Sequence, residues 1–167
     1  MYELVFLGLG SNRGNRFSQL IKATKKLTSI SDLDFIAVSS VYETEPWGFI
    51  KQKNFLNCVF VCLWKKNPTE LLRFIKKSED ELGRTKCEKW KEREIDIDVL
   101  FFGNKIIRKK DFTVPHKNLH ERNFVLKPLT EIAPTLIHPV FKKTISYLYK
   151  HSKDNCKVTL CKKTILF

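Results

Sequence analysis

The hydrophobic pattern of the N-terminal half alternates between the period of a strand and the period of a helix. Residues 4–9 form an apolar run that predicts a buried strand, and the glycine-rich segment 8–14 interrupts it. Apolar side chains then recur at helical spacing over residues 15–27. A second strand is predicted at 33–42 and a third at 55–64, where apolar and β-branched residues dominate.

The next segment repeats the order of a helix followed by a strand. Asn67 is a predicted helix cap, and Pro68 suits the first position of the helix that follows. A strand is predicted at 94–102, and Gly103 begins a hairpin signal that returns the chain through residues 105–107. The order βαββαβ predicts an α+β fold, a ferredoxin-like plait whose mainly antiparallel sheet has flanking helices on one face.

The C-terminal third has weaker patterns. It predicts a short helix at 125–133, a last helical segment at 146–151, and a tail at 156–167 that either adds a strand or frays. A chain of 167 residues is the size of one domain, so we expect a single domain over residues 1–167.

Composition and charge narrow the classes of protein and partner. Hydrophobic residues make up 43% and aromatic residues 12% of the chain, as in a globular protein, and no run suits a membrane span or signal peptide. We therefore expect a cytoplasmic monomer that does not bind membranes. Five cysteines, with no histidine at zinc-site spacing, indicate reduced thiols. The net charge of +13 favours an anionic partner, which a nucleotide, nucleic acid or acidic lipid would satisfy equally well.

Two aspartates in the last predicted strand are unusual, because Asp is depleted in strands. Asp96 and Asp98 are two residues apart, so the pleat places both carboxylates on one face, which would continue into Leu100 and Phe102. A polar outer face is the simple interpretation. However, two anions beside apolar side chains repel each other and favour a bound cation. Magnesium suits such a pair, and two carboxylates can hold two ions that bridge a phosphoryl group.

The loop before this strand, residues 84–93, contains five cations and one indole. Arg84 and Arg93 could make bidentate contacts with phosphate, and Trp90 could cover a base. A solvated charged loop is the alternative, but its position beside the acidic strand favours a metal–nucleotide site. Farther along, His116 and Arg122 could reach phosphate or ribose, although each alone is commonly a surface residue.

The segments LGLGSNRGN (7–15), SSVYETEPWG (39–48), FLNCV (55–59), REIDIDVLFFG (93–103), TVPH (113–116), ERNFVLKPLTEIAP (121–134) and IHP (137–139) occur in that order. Together they resemble the 6-hydroxymethyl-7,8-dihydropterin pyrophosphokinase (HPPK) family. The pattern RxxDxD, from Arg93 to Asp98, is the most diagnostic part. The resemblance implies the ferredoxin-like fold and an ATP-dependent transferase of folate biosynthesis that produces AMP and a pterin diphosphate.

The resemblance also implies a mechanism and a set of site residues. The pterin hydroxyl would attack the β-phosphorus of ATP, with Asp96 and Asp98 holding two Mg²⁺ ions. Arg84 and Arg93 would stabilise charge on the transferred group. The partners would be small molecules, not nucleic acid. The nucleotide side would comprise Glu79, Lys86, Trp90, the backbone near Val99, Thr113, His116, Lys117 and Arg122. The pterin side would comprise stacked Phe55 and Phe124, with Asn57, Asp96 and backbone groups near Thr44, Pro46 and Trp47.

Three departures from the family pattern concern the loops and the edge of the site. Lys91 stands where Gly is usual, in a loop that is about one residue short, so we expect altered loop closure. Asp111 replaces a common basic contact, and Trp47 replaces a smaller aliphatic residue. An alternative from another class is a basic RNA-binding module. It would stack bases on exposed strand aromatics, and the two strand aspartates argue against it.

Overall fold

The computed structural model describes residues 2–46, 52–84 and 92–162. It contains eight named strands and four α-helices in these ranges. The elements are β1 (Glu3–Ser11), α1 (Arg16–Thr28), β2 (Leu33–Val38), β3 (Val41–Thr44), β4 (Phe55–Trp64), α2 (Pro68–Glu81), β5 (Asp96–Phe102), β6 (Ile107–Lys109), β7 (Phe112–Val114), α3 (Asn123–Ile132), α4 (Ile145–Lys150) and β8 (Val158–Lys162).

The main sheet is antiparallel throughout. Its strand order is β5-β1-β4-β3-β8. Strand β3 pairs with the first part of β4, and β2 pairs with the last part of the same edge of β4. Strand β1 lies between β4 and β5, so the glycine-rich end of β1 lies beside Asp96 at the start of β5. The observed sheet and helices confirm the α+β class.

Helices cover both faces of this sheet, so two cores form. The first core packs α1 and α2 against the sheet through Leu20, Leu27, Leu71 and Ile75. The second core packs α3 and α4 against the opposite face through side chains such as Leu126. Full burial of each such leucine or isoleucine contributes about 1.5–3 kcal/mol to folding. The sequence predicts helices on one face of the sheet, and α1 and α2 do lie there. It does not predict the second layer, in which α3 and α4 cover the opposite face.

The predicted strand at 33–42 is wrong as one continuous element. A pair of buried serines separates β2 from β3, because their polar groups bond outside the regular ladder. Ser39 Oγ accepts from the amide of Val59 at 2.9 Å and donates to the carbonyl of Ser40 at 2.8 Å. The amide and hydroxyl of Ser40 both donate to the carboxylate of Glu131 on α3, at 3.0 and 2.9 Å. A distant helix therefore sets this break.

The predicted hairpin after Gly103 is also wrong. Gly103 does turn the chain, with a positive φ of 50°, which glycine adopts readily. Its amide donates to Leu4 on β1, however, and β6 pairs with β7 in a separate two-stranded sheet. Within β5, a bulge at Leu100 leaves that residue without a partner on β1, since Phe6 pairs with Phe101 and Leu7 with Val99.

The bulge changes which residues share the face of the two aspartates. Leu100 and Phe101 both pack in the second core, whereas Phe102 packs in the first. Leu100 therefore continues the face of Asp96 and Asp98, and Phe102 does not.

Among the described residues, no helix is long and apolar enough to cross a membrane. Four cysteines of these residues are free thiols.

Candidate active site

The acidic start of β5 lines a cavity on the face of the sheet that α3 covers. Asp96 and Asp98 both contribute to its wall, and Ile97 between them packs in the first core on the other face. The cavity has a volume of about 280 Å³. Strand alternation therefore brings the two carboxylates to one face, as their spacing predicts.

Two arginines hold the carboxylate of Asp96 from either side. Arg84 Nη2 lies 2.8 Å from Oδ1, and Arg93 Nη1 lies 2.7 Å from Oδ2. Burial raises the pKa of Asp96, and the repulsion of Asp98 adds to this, while Arg93 and Arg84 act in the opposite direction. The structure thus brings the predicted cations and the predicted carboxylate into direct contact.

Glu79 fixes one of these arginines from beneath. This residue of α2 is only 4% exposed, and its Oε1 accepts from the amide of Ile97 at 2.7 Å. Its other oxygen pairs with Arg84. Burial raises the pKa of Glu79 from an ordinary 4.5 to about 7, although the Ile97 amide and Arg84 favour the charged form. Glu79 therefore joins Arg84 to the backbone of β5.

Asn12 supports the cavity from outside its lining, although the glycine-rich pattern of its segment predicts no role for this side chain. The side chain is fully buried, and its Oδ1 accepts from the amide of Arg93 at 2.7 Å. Its Nδ2 donates to Gln52 Oε1 at 3.0 Å and to the carbonyl of Lys53 at 3.4 Å. One amide therefore connects the chain on both sides of the cavity. The sequence feature that could have indicated this role is an asparagine directly after a strand, in a glycine-rich turn.

The opposite wall of the cavity carries mostly uncharged groups, with Glu45 and Arg122 beside them. Asn57 Nδ2 donates to Thr44 Oγ1 at 2.6 Å, and both residues are buried. Phe55 and Phe124 also line the cavity, and the Arg122 guanidinium lies 5.7 Å from the centre of the Phe124 ring. Gly10 is necessary here, because a Cβ at that position would lie 2.8 Å from Asn57 Oδ1.

The other predicted nucleotide residues differ in position. Arg122 lines the cavity, and the amide of His116 donates to Leu100 at 3.0 Å. Burial lowers the pKa of His116, which the charge of Asp98 opposes. The side chain of Val99 packs in the first core, so only its backbone can serve the site. Thr113, on β7, and the exposed Lys117 are not among the cavity-lining residues, and neither is Pro46, next to Glu45 in that wall. Three predicted residues, Trp47, Lys86 and Trp90, lie outside the described residues, as does Lys91.

The two aspartate carboxylates of the cavity could supply some, but not all, of the oxygen ligands that a hard cation requires. Within the described parts of the chain, no group of three or more His, Cys, Asp or Glu side chains could hold a metal ion. Two carboxylates with open cavity space suit magnesium, which keeps several waters and takes further oxygens from substrate phosphates. Asp96 and Asp98 therefore fit magnesium that arrives with a phosphorylated ligand.

A comparison with protein families decides which family has this site. The model of the family described as 7,8-dihydro-6-hydroxymethylpterin-pyrophosphokinase (HPPK) matches residues 6–134. The chain belongs to the HPPK family. This confirms the resemblance carried by the motifs and the predicted enzyme class, a pyrophosphokinase.

Individual relatives agree with HPPK membership. A protein of Aquifex aeolicus named 2-amino-4-hydroxy-6-hydroxymethyldihydropteridine pyrophosphokinase is 46% identical over 141 residues, covering 84% of this chain and 87% of that protein. A Haemophilus influenzae protein of the same name is 34% identical over 93% of this chain and 96% of its own length. The crystal structure of wild-type Plasmodium falciparum HPPK-DHPS matches with a TM-score of 0.70 at 17% identity. That match covers 90% of this chain and 44% of the other, and it shows a shared fold.

Proposed function

We propose that this chain transfers pyrophosphate from ATP to 6-hydroxymethyl-7,8-dihydropterin, giving AMP and the pterin diphosphate. The main observation is that Asp96 pairs with Arg84 and Arg93, and lies with Asp98 at one side of a cavity whose opposite wall is mostly uncharged and aromatic. HPPK membership and the names of the relatives support the same reaction.

The neutral wall suits the pterin. Phe55 and Phe124 would stack on its ring, since offset aromatic contacts are favourable. Asn57 would read its amide edge, because the bond to Thr44 leaves the Asn57 carbonyl oxygen in the cavity as an acceptor. Backbone groups near Thr44, Pro46 and Trp47 would complete this edge. Asp96 would lie beside the hydroxymethyl group.

The charged wall suits the triphosphate. Asp96 and Asp98 would hold two magnesium ions, which neutralise phosphate charge and lower the pKa of a bound hydroxyl. Attack on the β-phosphorus is our proposal for the reaction. Because both oxygens of Asp96 are paired with arginines here, Arg84 and Arg93 would exchange that carboxylate for phosphate oxygens. The exchange frees Asp96 and puts two guanidinium groups where charge develops on the transferred group.

Other residues would serve the nucleotide. Glu79 would keep Arg84 near β5 through its bond to Ile97. The charge of Asp98 acts on both His116 and Arg122, and Arg122 also lines the cavity. The complete set that we propose for the nucleotide side is Glu79, Arg84, Lys86, Trp90, Arg93, the backbone of Val99, Thr113, His116, Lys117 and Arg122.

We also propose a fold type, a domain organisation and a cellular location for the chain. The strand order and the two helices on one face support a ferredoxin-like plait for the first part of the chain. We further propose a single domain over residues 1–167 that acts as a cytoplasmic monomer on small molecules.

The proposal is tested by AMP formation from ATP, the pterin and magnesium. Asp96→Ala and Asp98→Ala should each reduce the rate by about a hundredfold or more, because each removes charge that the reacting phosphates require. Asp34→Ala, at an exposed aspartate of β2 that is not among the cavity-lining residues, is the matched control and should retain the wild-type rate. Normal turnover by the double variant would contradict the site. RNA binding independent of magnesium and pterin would support the RNA-binding alternative instead.

A further inference from the structure

A segment outside residues 6–134, the part matched by the HPPK family, contacts two elements that supply the neutral wall of the cavity. This C-terminal arm, residues 152–162, follows α4 and ends in β8. Its first half reaches the start of α3, and its second half adds a strand beside β3. The arm therefore joins two elements that are distant in the sequence and that both supply cavity residues.

The first attachment is a helix cap supplied from outside the helix. Helix α3 begins at Asn123, and its preceding residue Arg122 provides no side-chain cap. Asp154 Oδ2 accepts from the amide of Asn123 at 2.7 Å, and the Asp154 carbonyl accepts from Asn123 Nδ2 at 2.7 Å. A carboxylate at a helix N-terminus satisfies a free amide and interacts favourably with the helix dipole.

Asp154 is itself held in place by the arm. Its amide donates to Ser152 Oγ at 3.2 Å, and its Oδ1 accepts from the amide of Cys156 at 3.0 Å. These bonds fold the arm into a turn around the carboxylate. Asp154 therefore reaches α3 in a defined orientation and not as a freely rotating surface acid.

The second attachment is to the strand that carries Thr44. Val158 pairs with Thr44 in the antiparallel ladder between β8 and β3. Just beyond, the amide of Lys157 donates to Glu45 Oε2 at 3.3 Å, and the amide of Glu45 donates to the Lys157 carbonyl at 3.4 Å. Thr44 and Glu45 both line the cavity.

We propose that the C-terminal arm sets the position of α3 relative to β3 within the neutral wall of the cavity, with Asp154 as a positioning residue for the pterin. The first turn of α3 follows Arg122 and includes Phe124, which lie against each other in the cavity. Without its cap this turn frays, and a bound ring must order it again, which weakens binding. The inference rests on the proposed function, because it assigns Asp154 to the pterin half of that site.

Three variants test this inference. Asp154→Ala removes the cap, Asp154→Asn keeps an oxygen that can accept the Asn123 amide, and Asn155→Ala alters the exposed neighbour as a control. The KM for pterin is measured at saturating ATP and magnesium. The Kd of the pterin is measured by calorimetry in the presence of a non-hydrolysable ATP analogue.

Asp154→Ala should raise KM and Kd for the pterin about fivefold, which is the factor that one cap hydrogen bond typically contributes, while kcat stays within about twofold. Asp154→Asn should restore most of the affinity. Protein that is merely destabilised would lose active molecules and therefore lower kcat without changing KM.

Two results would overturn the inference while leaving the proposed function intact. One is an Asp154→Ala variant with the same KM and Kd as Asn155→Ala, beside an active wild type. The other is an Asp154→Asn variant as impaired as Asp154→Ala, which would indicate that charge and not capping matters. A wild-type chain that forms no AMP would instead contradict the proposed function itself.

Discussion

The two walls of the cavity are constructed in opposite ways. The charged wall consists of Arg93, Asp96 and Asp98, with Arg84 and Glu79 next to it but outside the cavity lining. Ion pairs join Asp96 to both arginines and Arg84 to Glu79. The neutral wall consists of Thr44, Phe55, Asn57 and Phe124, and it contains one short buried hydrogen bond between two polar side chains. In the proposed reaction the charged wall would exchange partners when phosphates bind, whereas the Asn57–Thr44 bond of the neutral wall is already formed. Changes in the charged wall should therefore affect kcat, and changes in the neutral wall should affect KM for the pterin.

The largest effect is expected from Arg84→Ala. Under the proposed reaction this guanidinium would stabilise charge on the transferred group, so kcat should fall about 10²- to 10³-fold, while KM for the pterin changes little. Steady-state kinetics at varied pterin concentration measure both values. Arg108→Ala, at an exposed arginine of β6, is the control. A kcat for Arg84→Ala within threefold of the Arg108→Ala value would contradict the role of the charged wall.

Asn57→Ala should produce the complementary pattern in the neutral wall. The amide contacts Thr44 and lines the cavity, so its loss removes hydrogen bonds to the pterin edge and leaves a buried hydroxyl without its partner. KM for the pterin should rise about thirtyfold, with a much smaller change in kcat. Asn104→Ala, at an exposed turn, provides the baseline. A fall in kcat with KM unchanged would remove the distinction between the walls.

Glu79→Gln tests whether the free energy of unfolding depends on pH through the buried Glu79 carboxyl. Because burial raises the pKa of Glu79 from 4.5 to about 7, the folded state binds this proton more tightly than the unfolded state between pH 4.5 and 7. Its contribution to the free energy of unfolding is therefore full below pH 4.5 and is lost as pH rises to about 7, by at most about 1.4 kcal/mol per pH unit.

Urea unfolding from pH 4.5 to 7.5 measures this contribution. Wild type should lose stability across the window more steeply than Glu79→Gln. The exposed Glu81 should not share the effect, because its bond to Lys26 lowers its pKa and reverses the sign of the contribution. Parallel pH profiles for wild type and Glu79→Gln would show that Glu79 is not proton-linked to folding.

The smallest effect is expected at the glycines of β1 that line the cavity. A Cβ at Gly10 would lie 2.8 Å from Asn57 Oδ1, whose amide is held by Thr44 and cannot move freely. A Cβ at Gly8 would lie 3.3 Å from the flexible end of Leu100. Gly10→Ala should raise KM for the pterin about fivefold, and Gly8→Ala about twofold or less. The reverse order would show that Asn57 is not fixed in advance.

Much of the fold is local enough to be predicted from the sequence. Apolar periodicity locates α1, α2, β1 and β4, and the spacing of Asp96 and Asp98 predicts their common face. The Asn67 capping box forms with Glu70, as a cap at that position predicts. These features depend on neighbours within a few residues, so a single sequence contains the necessary signal.

The features that the sequence did not predict depend on distant contacts. Glu131 lies 91 residues from Ser40, and it fixes the break between β2 and β3. The bulge at Leu100 arises from the register between β1 and β5, and it moves Phe102 to the other core. Asn12 joins segments about 40 and 81 residues away. No local periodicity encodes such pairings, since each depends on how the sheet assembles.

In the proposed reaction a pyrophosphoryl group passes from ATP, held by the charged wall, to a pterin held by the neutral wall. This transfer is followed directly with ATP labelled at the α-phosphorus, in a reaction with the pterin and magnesium. We expect the label to be recovered as AMP, in an amount equal to the pterin diphosphate formed. Recovery of the label as ADP beside a pterin monophosphate would contradict pyrophosphoryl transfer.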